Sequence, residues 1–139
     1  MARKLNVWSA QGRIGRKHYW LLIGVLVGIS AASGFLPDSL KAVSSAVGLA
    51  CAWPTICTYT KRLHDLGRSG WWQLAPLAFL VLGLLALMIG PSGVMVGLGV
   101  YLLGQFGFMI WLGCVPGQAK TNAYGPAPDA PQVDSEVFA

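Results

Sequence analysis

The side chains able to do chemistry in this chain of 139 residues fall in three short segments, and arginine dominates them. The first runs Gly12-Arg13-Ile14-Gly15-Arg16-Lys17-His18-Tyr19-Trp20. The second runs Lys61-Arg62-Leu63-His64-Asp65-Leu66-Gly67-Arg68-Ser69-Gly70-Trp71-Trp72, and the third Asn122-Ala123-Tyr124-Gly125-Pro126-Ala127-Pro128. A planar guanidinium makes two parallel hydrogen bonds to a phosphate or carboxylate, where an ammonium offers only a point charge. Arg13, Arg16, Arg62 and Arg68 are therefore the candidates for gripping an anionic ligand or partner, with Asp65 holding one of them in place. His64 would add a donor that strengthens below its unperturbed pKa of about 6.5, and Asn122 and Tyr124 complete the candidate set. The competing reading is that Asp65 and the arginines lock a loop and hold no ligand. His64 and Asp65 do not read as an acid/base pair, because sequence neighbours on a helix do not face each other. Nearby arginines and backbone groups are their expected partners.

Catalysis and metal binding have less to stand on. Cys51, Cys57 and Cys114 lie within or at the ends of apolar stretches, with no metal-ligand spacing to His18 or His64, and read as buried, reduced thiols. No glycine-rich phosphate loop, paired carboxylate or nucleophile arrangement is present. The expectation is no metal, no cofactor and no enzymatic activity.

The elements that must position the three segments are set by hydropathy. Between Arg68 and Lys120 more than fifty residues pass without a charged side chain, and two uncharged runs of about twenty precede them. A transmembrane helix needs roughly 20 mostly apolar residues, and four segments qualify: Tyr19–Leu36, Ala42–Tyr59, Trp71–Ile89 and Val94–Val115. Gly90-Pro91-Ser92-Gly93 separates the last two as a turn. Charged residues are 11% and hydrophobic residues 55% of the chain, against about 25% charged in soluble domains. A soluble helical domain of this size would need far more polar surface. The first span is longer than the ~7–15 apolar residues of a signal-peptide core and three more spans follow, so it is read as part of the mature protein. The expected fold is an all-α integral membrane protein with four transmembrane helices and short outer loops.

Charge distribution orients it. Of the ten Lys and Arg, only Lys41 falls on one side of the expected membrane and the other nine on the opposite side. By the positive-inside rule both termini and the loop 60–70 are cytoplasmic. The net charge of +5 is thus explained by topology and by contacts to anionic headgroups, without nucleic acid. The expected organisation is a cytoplasmic interfacial segment 1–18, led by a short helix on which Arg13, Arg16 and Lys17 share a face, then a transmembrane domain 19–115. A cytoplasmic tail 116–139 follows, ordered to about 128 and disordered beyond. Tyr19, Trp20, Trp71 and Trp72 sit where an aromatic belt would anchor the helices. Ser69 is a candidate N-cap, Gly67 and Gly70 allow a tight turn, and Pro54 and Pro76 are expected to kink the second and third spans. Gly24 and Gly28, and Gly93 and Gly97, form small-residue faces for close helix packing, while Gln105 is the most polar side chain within the spans.

These three segments, in this order around four apolar spans, resemble the bacterial inner-membrane family known as domain of unknown function number 805, the YhaH-like proteins. The likeness rests on Gly12-Arg13 with Arg16 and Tyr19-Trp20, on Arg62-Leu63-His64-Asp65 with Ser69-Gly70-Trp71-Trp72, and on Asn122 with Tyr124-Gly125 and Pro128. It covers Gly12 to Pro128. His18 and Ala127 depart from the family pattern, at places where relatives often carry an acid and a polar or acidic residue. The resemblance implies a multi-pass inner-membrane protein and no known reaction, substrate or cofactor. Two function classes follow. One is a scaffold or accessory subunit whose basic cytoplasmic face binds anionic lipid or a partner protein, a second copy of the chain included. The other is a subunit of an oligomeric channel or transporter, with Gln105 lining the path. The absence of ionisable groups inside the spans favours the first.

Overall fold

The computed structural model describes residues 6–90 and 92–128. Arg3 and Lys4, Pro91 of the expected outer turn, and the tail from 129 onward, expected to be disordered, lie outside the described residues. The described chain is all-helical: α1 is Arg16–Gly34, α2 Lys41–Asp65, α3 Leu77–Ala86 and α4 Gly93–Cys114. Short 3-10 turns at Asp38–Leu40, Gly70–Leu74 and Leu87–Ile89 lead into or out of them. α1 pairs with α2 and α3 with α4 as two helical hairpins, and α4 touches both α1 and α2.

Three helical stretches are long and apolar enough to cross a membrane: Asp38–Asp65, Gly70–Ile89 and Gly93–Cys114. In α1 the first turn is Arg16, Lys17 and His18, which leaves 16 residues, Tyr19 to Gly34. At about 1.5 Å per residue that is roughly 24 Å, short of a ~30 Å hydrocarbon core. The lipid signature lies in the distribution of side chains as much as in length. Leu21, Val25, Leu49, Leu85, Met95 and Leu103 face outward, while Arg13, Lys61, Arg62 and Asp65 are buried. Water as the solvent would drive the reverse arrangement, and a multi-pass membrane protein is what this distribution fits.

Local sequence explains where the helices start and stop. α2 runs past its apolar part, which ends at Tyr59, and its last turn carries the basic side chains that complement a helix C-terminus. The expected loop 60–70 therefore shrinks to Leu66–Ser69. Gly67, at φ +73°, closes α2: its own N–H donates to the His64 carbonyl and the Arg68 N–H to the Leu63 carbonyl, the two bonds of a Schellman stop. Ser69 precedes the 3-10 turn as expected, but its hydroxyl makes no capping bond. Pro76 breaks the third span where a kink is predicted, standing immediately before α3, whereas α2 continues through Pro54. The interfacial helix predicted before Tyr19 does not form, since Gly12 at φ +90° and the extended Gly15 hold the chain open until Arg16. Arg13 consequently shares no helical face with Arg16 and Lys17.

The small-residue faces divide. Gly83 and Gly97 bring α3 and α4 into backbone contact, a Cβ on Gly83 lying 2.7 Å from the Gly97 carbonyl oxygen. Gly93 sits as tightly against Ala86. Gly24 and Gly28 contact no other described helix, for a Cβ at either would meet nothing within 4 Å among the described residues. Their expected close approach to a neighbour within the chain is thus corrected: α1 meets α2 through Ile23, not through its glycines. Gly28→Leu should leave thermal unfolding of the purified protein in detergent within about 0.5 kcal/mol of wild type. Gly97→Leu should cost about 1–3 kcal/mol or more, because the α3 backbone cannot yield to the added side chain. Equal losses for the two variants would contradict this packing.

Candidate functional site

At the end of the bundle where α1 begins and α2 and α4 finish, the three sequence segments converge. Asp65, in the last turn of α2, is their common point. Its Oδ1 accepts from Arg13 Nε at 3.0 Å and Nη2 at 2.8 Å, and its Oδ2 accepts from Arg62 Nη1. All three side chains are buried. Arg13 spends its remaining N–H groups on main-chain carbonyls of the stretch 118–125, which leads into and includes part of the third segment: Nη1 donates to Lys120 at 2.8 Å and Gly125 at 3.1 Å, and Nη2 to Gln118. Its five donors are all used. Arg62 donates from Nε to Leu112 at 2.7 Å and from Nη2 to Val115, both at the end of α4, and from Nη1 to Ile14 at 3.3 Å. Four of its five donors are committed.

The physics is that of helix ends. The last carbonyls of α2 and α4 have no intrahelical donor and carry the negative end of each helix dipole. Arg62 satisfies two carbonyls at the end of α4, those of Leu112 and Val115. On α2, the carbonyl of Asp65 accepts the Gln118 N–H at 2.8 Å and that of His64 accepts Asn122 Nδ2 at 2.9 Å. Asn122 Oδ1 in turn accepts the Tyr124 N–H at 2.9 Å, and a bridge between Asn122 and Gly125 closes the turn. Tyr124 finds its partner in His64, the two rings stacked at 3.8 Å and 4°. No buried side-chain nitrogen or oxygen among the described residues lacks a hydrogen-bond partner.

The structure therefore sorts the candidate residues into two groups. Arg13, Arg62, His64, Asp65, Asn122 and Tyr124 are brought together, but as a lock, and the forks of Arg13 and Arg62 close on Asp65 and backbone carbonyls. Asp65 holds two arginines where one was expected. Burial lowers the pKa of Arg62, and the Asp65 carboxylate opposes that shift. His64 is lowered by burial too, opposed by its bond to the Gly12 carbonyl, 3.2 Å from Nδ1. As the neutral Nδ1–H tautomer it already donates there, so a donor that needs protonation is not what this site uses.

Arg16 and Arg68 form the second group, both exposed on the rim. Arg68 stacks over the Trp72 ring at 4.2 Å from its centroid. Trp71 is 78% and Trp72 46% exposed, in keeping with a role at an interface. Tyr19 is corrected: it is fully buried, packs against Tyr59, and donates its hydroxyl to the Met109 carbonyl at 2.9 Å, because the core between α1, α2 and α4 closes over it. Trp20 remains on the outside, its ring over Gly113. Among the described residues no group of three or more His, Cys, Asp or Glu could hold a metal ion.

Sequence reasoning missed Gly117. A Cβ there would lie 2.5 Å from Asp65 Cγ, so only glycine lets the chain leaving α4 pass over the carboxylate. Its only signal is the dipeptide Pro116-Gly117, which reads as a helix stop.

Comparison with known proteins decides the lineage. Residues 7–126 match the model of the family described as Protein of unknown function (DUF805). The chain belongs to that family. The matched range takes in the whole lock, from Gly12 to Gly125. Similar relatives carry the name Uncharacterized protein YiiR, in Escherichia coli strain K12 and in Escherichia coli O157:H7. Each is 35% identical over 131 residues, covering 86% of this chain and 85% of its own length. No solved structure matches.

Asp65→Asn should cost about 3–5 kcal/mol of stability, since it leaves two buried guanidinium groups without their counter-charge. Thermal or denaturant unfolding in detergent measures it, and a loss below about 1 kcal/mol would mean the lock is not structural. The pH dependence has a defined sign. His64 folds with its pKa lowered, so its contribution is present above the unfolded value of about 6.5 and is lost as pH falls below it. Wild-type melting should drop between pH 7 and pH 5 more than that of His64→Gln.

Proposed function

We propose that this chain is a four-span protein of the bacterial inner membrane, with both ends cytoplasmic, that acts as a scaffold or accessory subunit. In this reading its basic cytoplasmic face binds anionic lipid or a partner protein. One observation carries the reading: the arginines divide between a buried lock and an exposed rim. Arg13 is consumed by Asp65 and main-chain carbonyls, and Arg62 is held by the same kinds of acceptor through all but one of its donors, whereas Arg16, Lys17 and Arg68 stay in the open next to Trp20, Trp71 and Trp72. Basic side chains alternating with exposed tryptophans suit the headgroup layer, where each cation contributes on the order of 1 kcal/mol with anionic lipid. The lock supports a binding face by making it rigid, so that few side chains need ordering when a partner arrives.

Support for the fourth span comes from the pairing of α1 with α2, with Lys17 and Trp20 exposed at one end. A cation and a tryptophan near a helix end let a short span reach the interface. The channel alternative has less behind it, because Gln105 donates its amide to Tyr101 one turn away, at 3.1 Å.

Two measurements test the proposal. Reporter fusions after Ser92 and after Ala139 should report opposite sides of the membrane, and the same side for both would sink the four-span topology. Replacing Arg16, Lys17 and Arg68 together with Gln should weaken retention of phosphatidylglycerol in native mass spectrometry about tenfold or more while leaving melting unchanged. Unchanged retention would remove lipid binding from the reading.

A further inference from the structure

A cleft of about 410 Å³ opens beside the lock, between the start of α1 and the segment that leaves α4. Gly15, Arg16, Arg62, Asp65 and Gln118 are among its walls. Its charge balance is uneven. Within the lock, Arg13 and Arg62 contribute +2 and Asp65 −1, and the converging C-termini of α2 and α4 contribute about −0.5 each, so the lock is close to neutral by itself. Arg16 adds a full positive charge on top, and among the described residues no acid answers it. Both oxygens of Asp65 are occupied by Arg13 and Arg62, and Asp38 is paired with Lys41 at 2.7 Å between α1 and α2, at the opposite end of the bundle. Two guanidinium groups thus line one cleft with no carboxylate free to sit between them. Arg62 is fully buried there and keeps one of its five N–H donors uncommitted. The N-terminus of α1 adds to the same field, because Gly15 gives it no side-chain cap and its first turn holds no acid.

We propose that this cleft binds a phosphate group, gripped at the mouth by the Arg16 guanidinium and met at the floor by the spare N–H of Arg62. The inference rests on the lipid-binding reading of the basic face and narrows it from a diffuse surface to one site. A phosphate fits because it accepts from two guanidinium groups at once, as a bidentate acceptor that also tolerates a buried donor. Arg16 precedes the apolar part of α1 by one turn, which sets the mouth of the cleft at headgroup depth. The phosphodiester of an anionic phospholipid and a free phosphoanion share the required chemistry, and the experiment separates them.

Arg16→Gln is the informative variant, since Arg16 is exposed and makes no hydrogen bond that the fold needs. Arg68→Gln, an exposed arginine on the same rim that is not part of the cleft, is its control. The full-length protein would be placed in phosphatidylcholine nanodiscs doped with phosphatidylglycerol and its retained lipid counted by native mass spectrometry, with melting measured alongside. Arg16→Gln should lose retention at least about tenfold more than Arg68→Gln, which as one rim cation outside the cleft should lose no more than about fivefold, with melting unchanged in both. Inorganic phosphate at millimolar concentration is then added to the wild type: displacement of the lipid marks the cleft as open to a free phosphoanion, and its absence marks a phospholipid site. Equal losses in the two variants would overturn the cleft while leaving a diffuse lipid-binding face intact. No loss in either would overturn both.

Discussion

One carboxylate holds together the end of the bundle where α1 begins and α2 and α4 finish. Among the described residues Asp65 is the single acid within reach of two buried arginines, and each of its oxygens is assigned to one of them. Without it, two cations would be sealed into a region of low dielectric, which the fold could tolerate only by opening. The pair of arginines then carries the constraint outward. Arg62 ties the end of α4 to α2, Arg13 ties the residues before α1 to the segment 118–125, and every bond of this kind ends on a main-chain carbonyl. Three parts of the chain distant in sequence, before α1, at the end of α2 and from the end of α4 onward, are fixed around one buried charge of the opposite sign.

That economy follows from the solvent. Helices whose outer faces are apolar gain little from burying more apolar surface, since lipid already surrounds them, and packing must come from close contact and polar bonds. Both appear here in separate places. The α3–α4 hairpin uses backbone contact at Gly83 and Gly97, in the apolar part of the bundle. The polar bonds are gathered at one end, where Arg62 is the largest fully buried side chain in the described structure. The segment from Val115 to Pro128 belongs to the same logic: too rich in turn formers to make a helix, it supplies carbonyls to arginines and closes over the helix ends.

Identical residue types have opposite fates in this arrangement. Arg13 and Arg16 stand three positions apart, yet one has all five donors consumed and the other none. The difference arises because α1 starts between them, turning Arg13 into the cap and Arg16 out. Functional weight accordingly falls on the exposed arginines, and the buried ones give the face its shape.

Most of the architecture was legible from residue order, because hydropathy runs and turn formers are local properties. The apolar stretches, the turn at Gly67 and the reversal at Gly90 appear where their sequences place them, although α2 runs on through the first half of the expected loop before it stops. The family, too, could be read from three short segments. What the sequence could not decide was direction and partnership. Whether Tyr19 faces lipid or core depends on where α4 lies, and whether Gly24 meets a neighbour depends on which face of α1 is turned to α2. The need for glycine at 117 exists only because Asp65, fifty-two residues earlier, sits beneath it. Local chemistry named the arginines, the aspartate and the asparagine as the residues that matter. Only the tertiary fold determined which arginines are spent on the protein itself and which remain for something else, since a guanidinium is consumed or free according to what is brought within 3 Å of it.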